Sequence, residues 1–291
     1  MKSDTDTPEN YDEAIRRAAD AVRAADALLI CAGAGMGVDS GLPDFRGDSG
    51  FWKAYPALAE SCVRFAEIAS PDTFRNDPQL AWGFYGHRLN LYRETVPHAG
   101  FAILRRWADT KRHGAFIFTS NVDGQFQKAG FDAGRVAECH GSIHHLQCLF
   151  GCSWDIWSAD KDEVVVDEAN LAAAKYSLPR CIRCQTVARP NVLMFNDWGW
   201  LPTRADAQHT ALEMWLGEVL DNNATLAVIE IGAGQAIPTV RRLAERVAAT
   251  TDAALVRINP RAAQPPHGVV RCVSLPMGAL AALSGMDGVG Q

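Results

Sequence analysis

The sequence predicts an α/β fold: a Rossmann-like parallel sheet with helices on both faces, plus a small lobe made of a zinc ribbon and a helical insertion. Three observations lead there. Short runs of consecutive apolar residues recur along the chain, amphipathic helical stretches separate several of them, and four cysteines stand in two closely spaced pairs. Runs that are apolar at every position suit strands buried on both faces, as in a parallel sheet covered by helices.

Taken in order, residues 1–9 are polar and read as a flexible tail. Asn10 and Glu13 have the N-x-x-E spacing of a capping box, opening a helix with Ile15, Ala18, Val22 and Ala25 on its apolar face. ALLICAG then reads as a buried strand entering a glycine loop. Further strands are expected at AFIFTSN (115–121), LAVIEIG (226–232), ALVRIN (254–259) and VVRCVSL (269–275), and helices at HAGFAILRRWADT and PTVRRLAERVAAT. The Rossmann-like domain is therefore assigned to 10–45, 96–141 and 190–280. The aromatic-rich stretch 46–95 is expected to be a helical insertion and 142–189 a zinc-binding module, together the small lobe. Residues 281–291 are expected to be a second flexible tail.

Composition narrows the function classes. The 291 residues carry 28 Lys and Arg against 34 Asp and Glu, a formal charge of -6, with no dense basic run. Binding to nucleic acid by phosphate neutralisation is disfavoured. No run reaches the ~18 apolar residues of a membrane span, and MKSDTDTPENYDEA has no apolar core of a secretory signal. The eight cysteines then belong in a reducing cytoplasm, where paired cysteines point to metal before disulfide.

Cys148 and Cys152 form a C-x3-C knuckle, and Cys181 and Cys184 a C-x2-C knuckle. Each short turn can present two sulfurs to one tetrahedral zinc, with Zn–S bonds of about 2.3 Å. Such closed sites are structural and hold together a lobe too small to have its own core. His144 and His145 lie close by, but four thiolates already complete the tetrahedron. Cys31, Cys62, Cys139 and Cys272 stand singly in apolar surroundings and read as core fillers.

The glycine loop CAGAGMGVDSGLPDFRG departs from the G-x-G-x-x-G of dehydrogenases, because Val38 stands where the third glycine belongs. Pro43-Asp44-Phe45-Arg46 also follows, where a dehydrogenase loop would run directly into its helix. Further on come TSNVDG (119–124), His140-Gly141, the two cysteine knuckles, ARPNVLMF (188–195) and a late strand–glycine turn. In this order, from about residue 25 to 275, the pattern resembles the sirtuin family of NAD-dependent protein deacylases.

The resemblance implies the following roles. Gly33, Ala34 and Gly35, with Asp44, Phe45 and Arg46 beyond, cradle the pyrophosphate and nicotinamide ribose of NAD. Glycines suit this because backbone N–H groups can approach phosphate with no Cβ in the way. Ser120 belongs to the same turn, Asn121 orients the ribose, and Asp123 accepts from the nicotinamide carboxamide. Gly232, Ala233, Gly234 and Asn259 contact the adenosine half. His140 is the catalytic histidine, a general base whose ordinary pKa suits neutral pH. The implied reaction is attack of an acyl-lysine carbonyl on the ribose C1′, with loss of nicotinamide. Val192, Phe195 and Asn196 match the segment on which an acyl-lysine peptide docks. Tyr85 and Arg88, one helical turn apart, match the Tyr-x-x-Arg pair of the subclass that removes succinyl and malonyl groups. A guanidinium fork with a phenol suits an acyl chain ending in carboxylate.

Several positions depart from the family pattern. Gly37 replaces a serine, Ser120 a glutamine, and Gly232-Ala233-Gly234 a G-T-S turn, while F-G-E reads Phe195-Asn196-Asp197 followed by WGWLP. Three readings follow: a lysine deacylase, an NAD-consuming ADP-ribosyltransferase or glycohydrolase on the same fold, and a non-catalytic NAD-binding sensor.

Overall fold

The computed structural model describes residues 11–44, 47–60 and 62–289. From the N-terminal side, α1 (Tyr11–Ala24) leads into β1 (Ala27–Ala32). Helices α2 (Gly47–Ala54), α3 (Pro56–Glu60), α4 (Phe65–Ile68), α5 (Pro71–Asn76), α6 (Pro78–Glu94) and α7 (Ala99–Asp109) follow. Next come β2 (Ala115–Thr119), the short α8 (Gln125–Lys128), β3 (Val136–Glu138), β4 (Gly141–Cys148), β5 (Ile156–Ser158), β6 (Val166–Asp167), β7 (Ala172–Ala173) and β8 (Ala188–Val192). The chain continues with α9 (Thr203–Asp221), β9 (Leu226–Ile231), α10 (Thr239–Thr251), β10 (Ala254–Ile258), β11 (Cys272–Leu275) and α11 (Ala279–Gly288).

Six strands form one parallel sheet in the order β11-β10-β9-β1-β2-β3. The chain winds outward from β1 in one direction through β2 and β3, and in the other through β9, β10 and β11. The order therefore reverses between β1 and β9, and a crevice opens at their carboxyl ends. Side-chain alternation separates the two faces. Leu28, Ile30, Ile117, Ile229 and Val256 pack with α1, α7 and α11, and Leu29, Phe116, Val228 and Leu255 pack with α9 and α10.

The expected strands are present, with VVRCVSL shortened to β11 because Val270 stands in solvent, 92% exposed. The expected C-terminal tail is not a tail. Residues 281–288 lie within α11, whose Ala282, Leu283 and Met286 are buried against α1 and α7. Their helical spacing gives the segment an apolar face to bury. The tail assigned to 1–9 and the cap at Asn10 lie outside the described residues.

A second sheet, β5-β4-β8, is antiparallel and packs against α2 to α6. The acidic run KDEVVVDEAN keeps Glu163, Asp167 and Glu168 exposed and buries Val164. It contributes β6 to the β6–β7 hairpin, which docks on α6 where Gly83 and Gly86 leave room. A Cβ on Gly83 would stand 1.9 Å from the Leu171 carbonyl oxygen, and one on Gly86 2.5 Å from Val164.

Candidate active site and zinc centre

At the crevice, the ends of β1 and β9 cross with no room for side chains. A Cβ on Gly33 would lie 2.7 Å from the Gly232 carbonyl oxygen, and one on Gly232 would lie 2.4 Å from Gly35 Cα. Gly232 also has φ +61°, a left-handed conformation that suits glycine. Gly35 N–H donates to the Gly232 carbonyl at 3.1 Å, joining the two turns. Asn259, fully buried after β10, donates from Nδ2 to the Ala233 carbonyl at 2.9 Å and accepts from Arg261 and Ala262 N–H. The early and late glycine turns thus form one surface.

After Gly33 the chain makes two short 3-10 turns, Ala34–Met36 and Val38–Ser40, instead of entering a long helix. Gly37 has an ordinary right-handed backbone, φ -81°, so conformation does not demand glycine there. Packing explains it better: a Cβ at this position would press on Leu42 Cδ1 at 3.1 Å. Asp44 is half-buried beyond Pro43, while Phe45 and Arg46 lie outside the described residues.

The turn after β2 faces the same crevice. Ser120 N–H donates to the Ala32 carbonyl, and Asn121 Nδ2 donates to the Gly33 carbonyl at 3.1 Å. Asp123 is buried and accepts from Gln125 N–H at 3.0 Å. Burial pushes its carboxyl up to about 6. It borders a cavity of about 680 Å³ that Tyr92, Glu138, His144 and Arg204 also line.

His140 is half-buried in the turn between β3 and β4, and its carbonyl accepts from Leu193 N–H at 2.9 Å. Burial holds its imidazole below the usual histidine range, so the ring is neutral at pH 7 and able to take a proton. Gly141 has φ +79°, and a Cβ there would lie 2.0 Å from the Asn191 carbonyl oxygen. The His-Gly pair therefore reflects the close approach of β4 to β8 just after the histidine.

Beyond β8, Phe195 N–H donates to the Ala69 carbonyl at 3.0 Å, and its ring packs edge-on against Phe65. Val192 has its side chain buried in the small-lobe core. Asn196 is exposed and has φ +53°. Asparagine tolerates this left-handed conformation better than most non-glycine residues, so the backbone can follow a path otherwise suited to glycine. Tyr85 and Arg88 are both buried on α6, with the guanidinium carbon 5.6 Å from the Tyr85 ring centre. Burial pushes the Tyr85 hydroxyl up to about 12, so it is a neutral phenol.

The four paired cysteines converge as their spacing requires. Their Sγ atoms all lie within 4.8 Å of one another, with Cys148–Cys184 at 3.7 Å and Cys152–Cys181 at 3.5 Å. A tetrahedral zinc with ~2.3 Å bonds sets sulfurs about 3.8 Å apart, so the four-thiolate donor set fits structural zinc in kind and in spacing. His144 turns away, with Nε2 2.9 Å from the Asp123 carbonyl oxygen. Of the single cysteines, Cys31 is buried and Cys139 and Cys272 are half-buried. Cys62 is no core filler: it is exposed at φ +53°, in the turn that follows α3.

A model of the Sir2 family matches residues 33–214. The chain belongs to the Sir2 family. It is 32% identical over 167 residues to a Pyrococcus furiosus protein named NAD-dependent protein deacylase, covering 57% of this chain and 59% of that one. The chain thus spans about three fifths of that relative's length. A Deinococcus radiodurans protein of the same name matches at 30% over 247 residues, covering 83% of this chain and 86% of its own. The Sir2 fold is also that of a solved Sir2 homologue–NAD complex, with TM-score 0.64 and 23% identity over 94% of this chain and 93% of that one. Among the described residues, no helix is long and apolar enough to cross a membrane.

Sequence reasoning passed over several buried polar groups of this Sir2 site. Glu138 pairs with Arg204 beneath the turn that carries His140, and Asp197 pairs with Arg189 beneath the loop that carries Asn196. Tyr92 hydrogen-bonds Arg88. Only Tyr92 had a legible signal, its helical i+4 spacing from Arg88.

Proposed function

We propose that this protein is an NAD-dependent protein lysine deacylase that favours acyl chains ending in a carboxylate. The reading is carried by one juxtaposition. The turns of Gly33 and Gly232, packed backbone to backbone too closely for any Cβ, lie beside Asn121, which is bonded to the Gly33 carbonyl. The names borne by the Pyrococcus and Deinococcus relatives support it, as does the NAD complex of the structural neighbour.

NAD, when bound, supplies an electrophilic ribose carbon and the hydroxyls that take over the acyl group. The remaining chemistry belongs to side chains and backbone. The turn of Gly33, Ala34 and Gly35 receives the pyrophosphate, with Asp44 and Ser120 at the ribose side. Gly232, Ala233, Gly234 and Asn259 receive the adenosine half. Asp123 accepts from the carboxamide, Asn121 orients the ribose, and neutral His140 takes a hydroxyl proton. Val192, Phe195 and Asn196 present backbone to the substrate peptide, and Tyr85 with Arg88 meets the acyl end. The parallel sheet (10–45, 96–141 and 190–280) binds NAD, and the segments 46–95 and 142–189 complete the acyl side. We place this chemistry in the cytoplasm, with acyl-lysine proteins as substrates.

The ADP-ribosyltransferase or glycohydrolase reading drew on the departures at Gly37, Ser120 and Asn196. At Asn196 the left-handed backbone keeps the path a glycine would take, which supports deacylation on that point. The test is incubation with NAD and matched acetyl- and succinyl-lysine peptides, following nicotinamide and peptide mass. Acyl loss equal to nicotinamide release is expected. Nicotinamide released without peptide, or a gain in peptide mass, would overturn the deacylase reading. Binding of NAD without turnover would leave the sensor.

A further inference from the structure

Arg88 is held by a tyrosine one helical turn further along α6. Tyr85, Arg88 and Tyr92 stand at i, i+3 and i+7, which the helical period sets on one face. The Tyr92 hydroxyl oxygen accepts from Arg88 Nε at 3.0 Å and from Nη2 at 2.9 Å. The guanidinium carbon also lies 5.4 Å from the Tyr92 ring centre and 5.2 Å from that of Phe84. Tyr92 therefore takes the side edge of the guanidinium. The end edge, formed by the two Nη groups, has the fork geometry that a carboxylate matches bidentately.

Tyr92 is itself fixed. It is buried, and its carbonyl accepts from Gln125 Nε2 at 3.1 Å, while Gln125 N–H donates to Asp123. One residue thus spans from Arg88 to the turn carrying Asp123. Its burial keeps the phenol protonated, so Tyr92 orients the cation without cancelling its charge. A carboxylate at that place would orient Arg88 and neutralise it. A purely apolar ring would do neither, and little water reaches the site to replace the lost bonds.

We propose that Tyr92 is a positioning residue that sets the acyl preference, holding Arg88 as an oriented, charged fork for a carboxylate-tipped acyl chain. This rests on the reading of Tyr85 and Arg88 as the acyl contact. The test compares Tyr92→Phe, Tyr92→Glu and Arg88→Met on succinyl- and acetyl-lysine peptides of one sequence. Tyr92→Phe removes a single oxygen and keeps the ring. We expect it to lower the succinyl-to-acetyl ratio of kcat/KM about tenfold, with the loss appearing in the KM for the succinyl peptide. Tyr92→Glu, oriented but neutralised, should lower that ratio at least as far. If Arg88→Met collapses the ratio while Tyr92→Phe leaves it unchanged, the role of Tyr92 is overturned and the acyl site stands. Equal losses on both peptides in Tyr92→Phe would make Tyr92 merely structural and also overturn it. If Arg88→Met leaves the ratio unchanged, the acyl-site reading fails, and the inference with it.

Discussion

On the six-stranded sheet, consecutive residues such as Leu28 and Leu29, or Val228 and Ile229, turn to opposite faces and find an apolar helix layer on each. On the three-stranded sheet, the fully buried side chains include Gln147, Arg189 and Asn191. Arg189 pairs with Asp197 and also donates to the Val192 carbonyl at 2.9 Å. Gln147 donates to the Gly199 carbonyl at 2.7 Å, and Asn191 to the Leu201 carbonyl at 2.9 Å. These three residues pin the loop that follows β8. The large sheet has a buried charge network too, Glu230 paired with Arg257 at 2.8 Å and with Arg241 at 3.4 Å, set among the apolar residues of its α9–α10 face. Both sheets bury apolar area, but the smaller one adds specific polar contacts to the loop after β8 and four sulfurs. Apolar packing tolerates trimming, whereas the polar contacts depend on each partner being present.

The largest test of this contrast is metal removal. Chelation or Cys181→Ser should abolish acyl removal, take zinc from one per chain to none, and strip amide-exchange protection from β4 and β8 while β1, β2 and β9 keep theirs. Equal loss of protection in both sheets would erase the distinction.

His140→Ala addresses the seam between the regions. Acyl removal should fall by a factor on the order of 10² to 10⁴, with NAD affinity measured by calorimetry changing only a few-fold. Full turnover in that variant would remove His140 from the chemistry.

Chemical denaturation can compare the two kinds of support directly. Asp197→Ala leaves Arg189 buried without its ion-pair partner and should cost about 3–5 kcal/mol. Ile229→Val in the large sheet should cost about 0.5–1.5 kcal/mol. The reverse ranking would break the comparison.

A further effect depends on pH. Asp123 is raised from 3.8 to about 6 in the folded protein, so the fold favours its protonated form. Its stabilising contribution is complete below about pH 4 and is lost as pH rises through about 6. Asp123→Asn should therefore raise the Tm at pH 7.5, by up to about 3 kcal/mol of stability, and gain nothing at pH 4. A gain that does not vary with pH would point to packing.

Much of this molecule was legible before any coordinates. Continuous apolar runs are strands wherever helices can cover both faces, which is why β1, β2, β9 and β10 fall close to the expected limits. The cysteine knuckles were equally plain, since ligand spacing is a local property. β3 was not legible, because three residues carry too little periodicity, and the helical face of 281–288 was passed over as a tail. The candidate site residues were assigned through motif order. Their buried supports, Glu138–Arg204 and Arg189–Asp197, were not, because the partners are 66 and 8 residues apart and an isolated arginine or acid looks solvated in sequence.

The sequence by itself determined the alternation of strands and helices, the four-sulfur site and the glycines of the crevice. Each of these depends on neighbours within a few positions. Only the tertiary structure decided which long-range pairs are buried together: Gly33 against Gly232, Gly83 against the acidic hairpin, and Arg88 against Tyr92 with the turn of Asp123 behind it. Burial is what turns such pairs from solvated options into requirements. A charge or polar group withdrawn from water needs its partner, and a backbone crossing at van der Waals distance admits no Cβ.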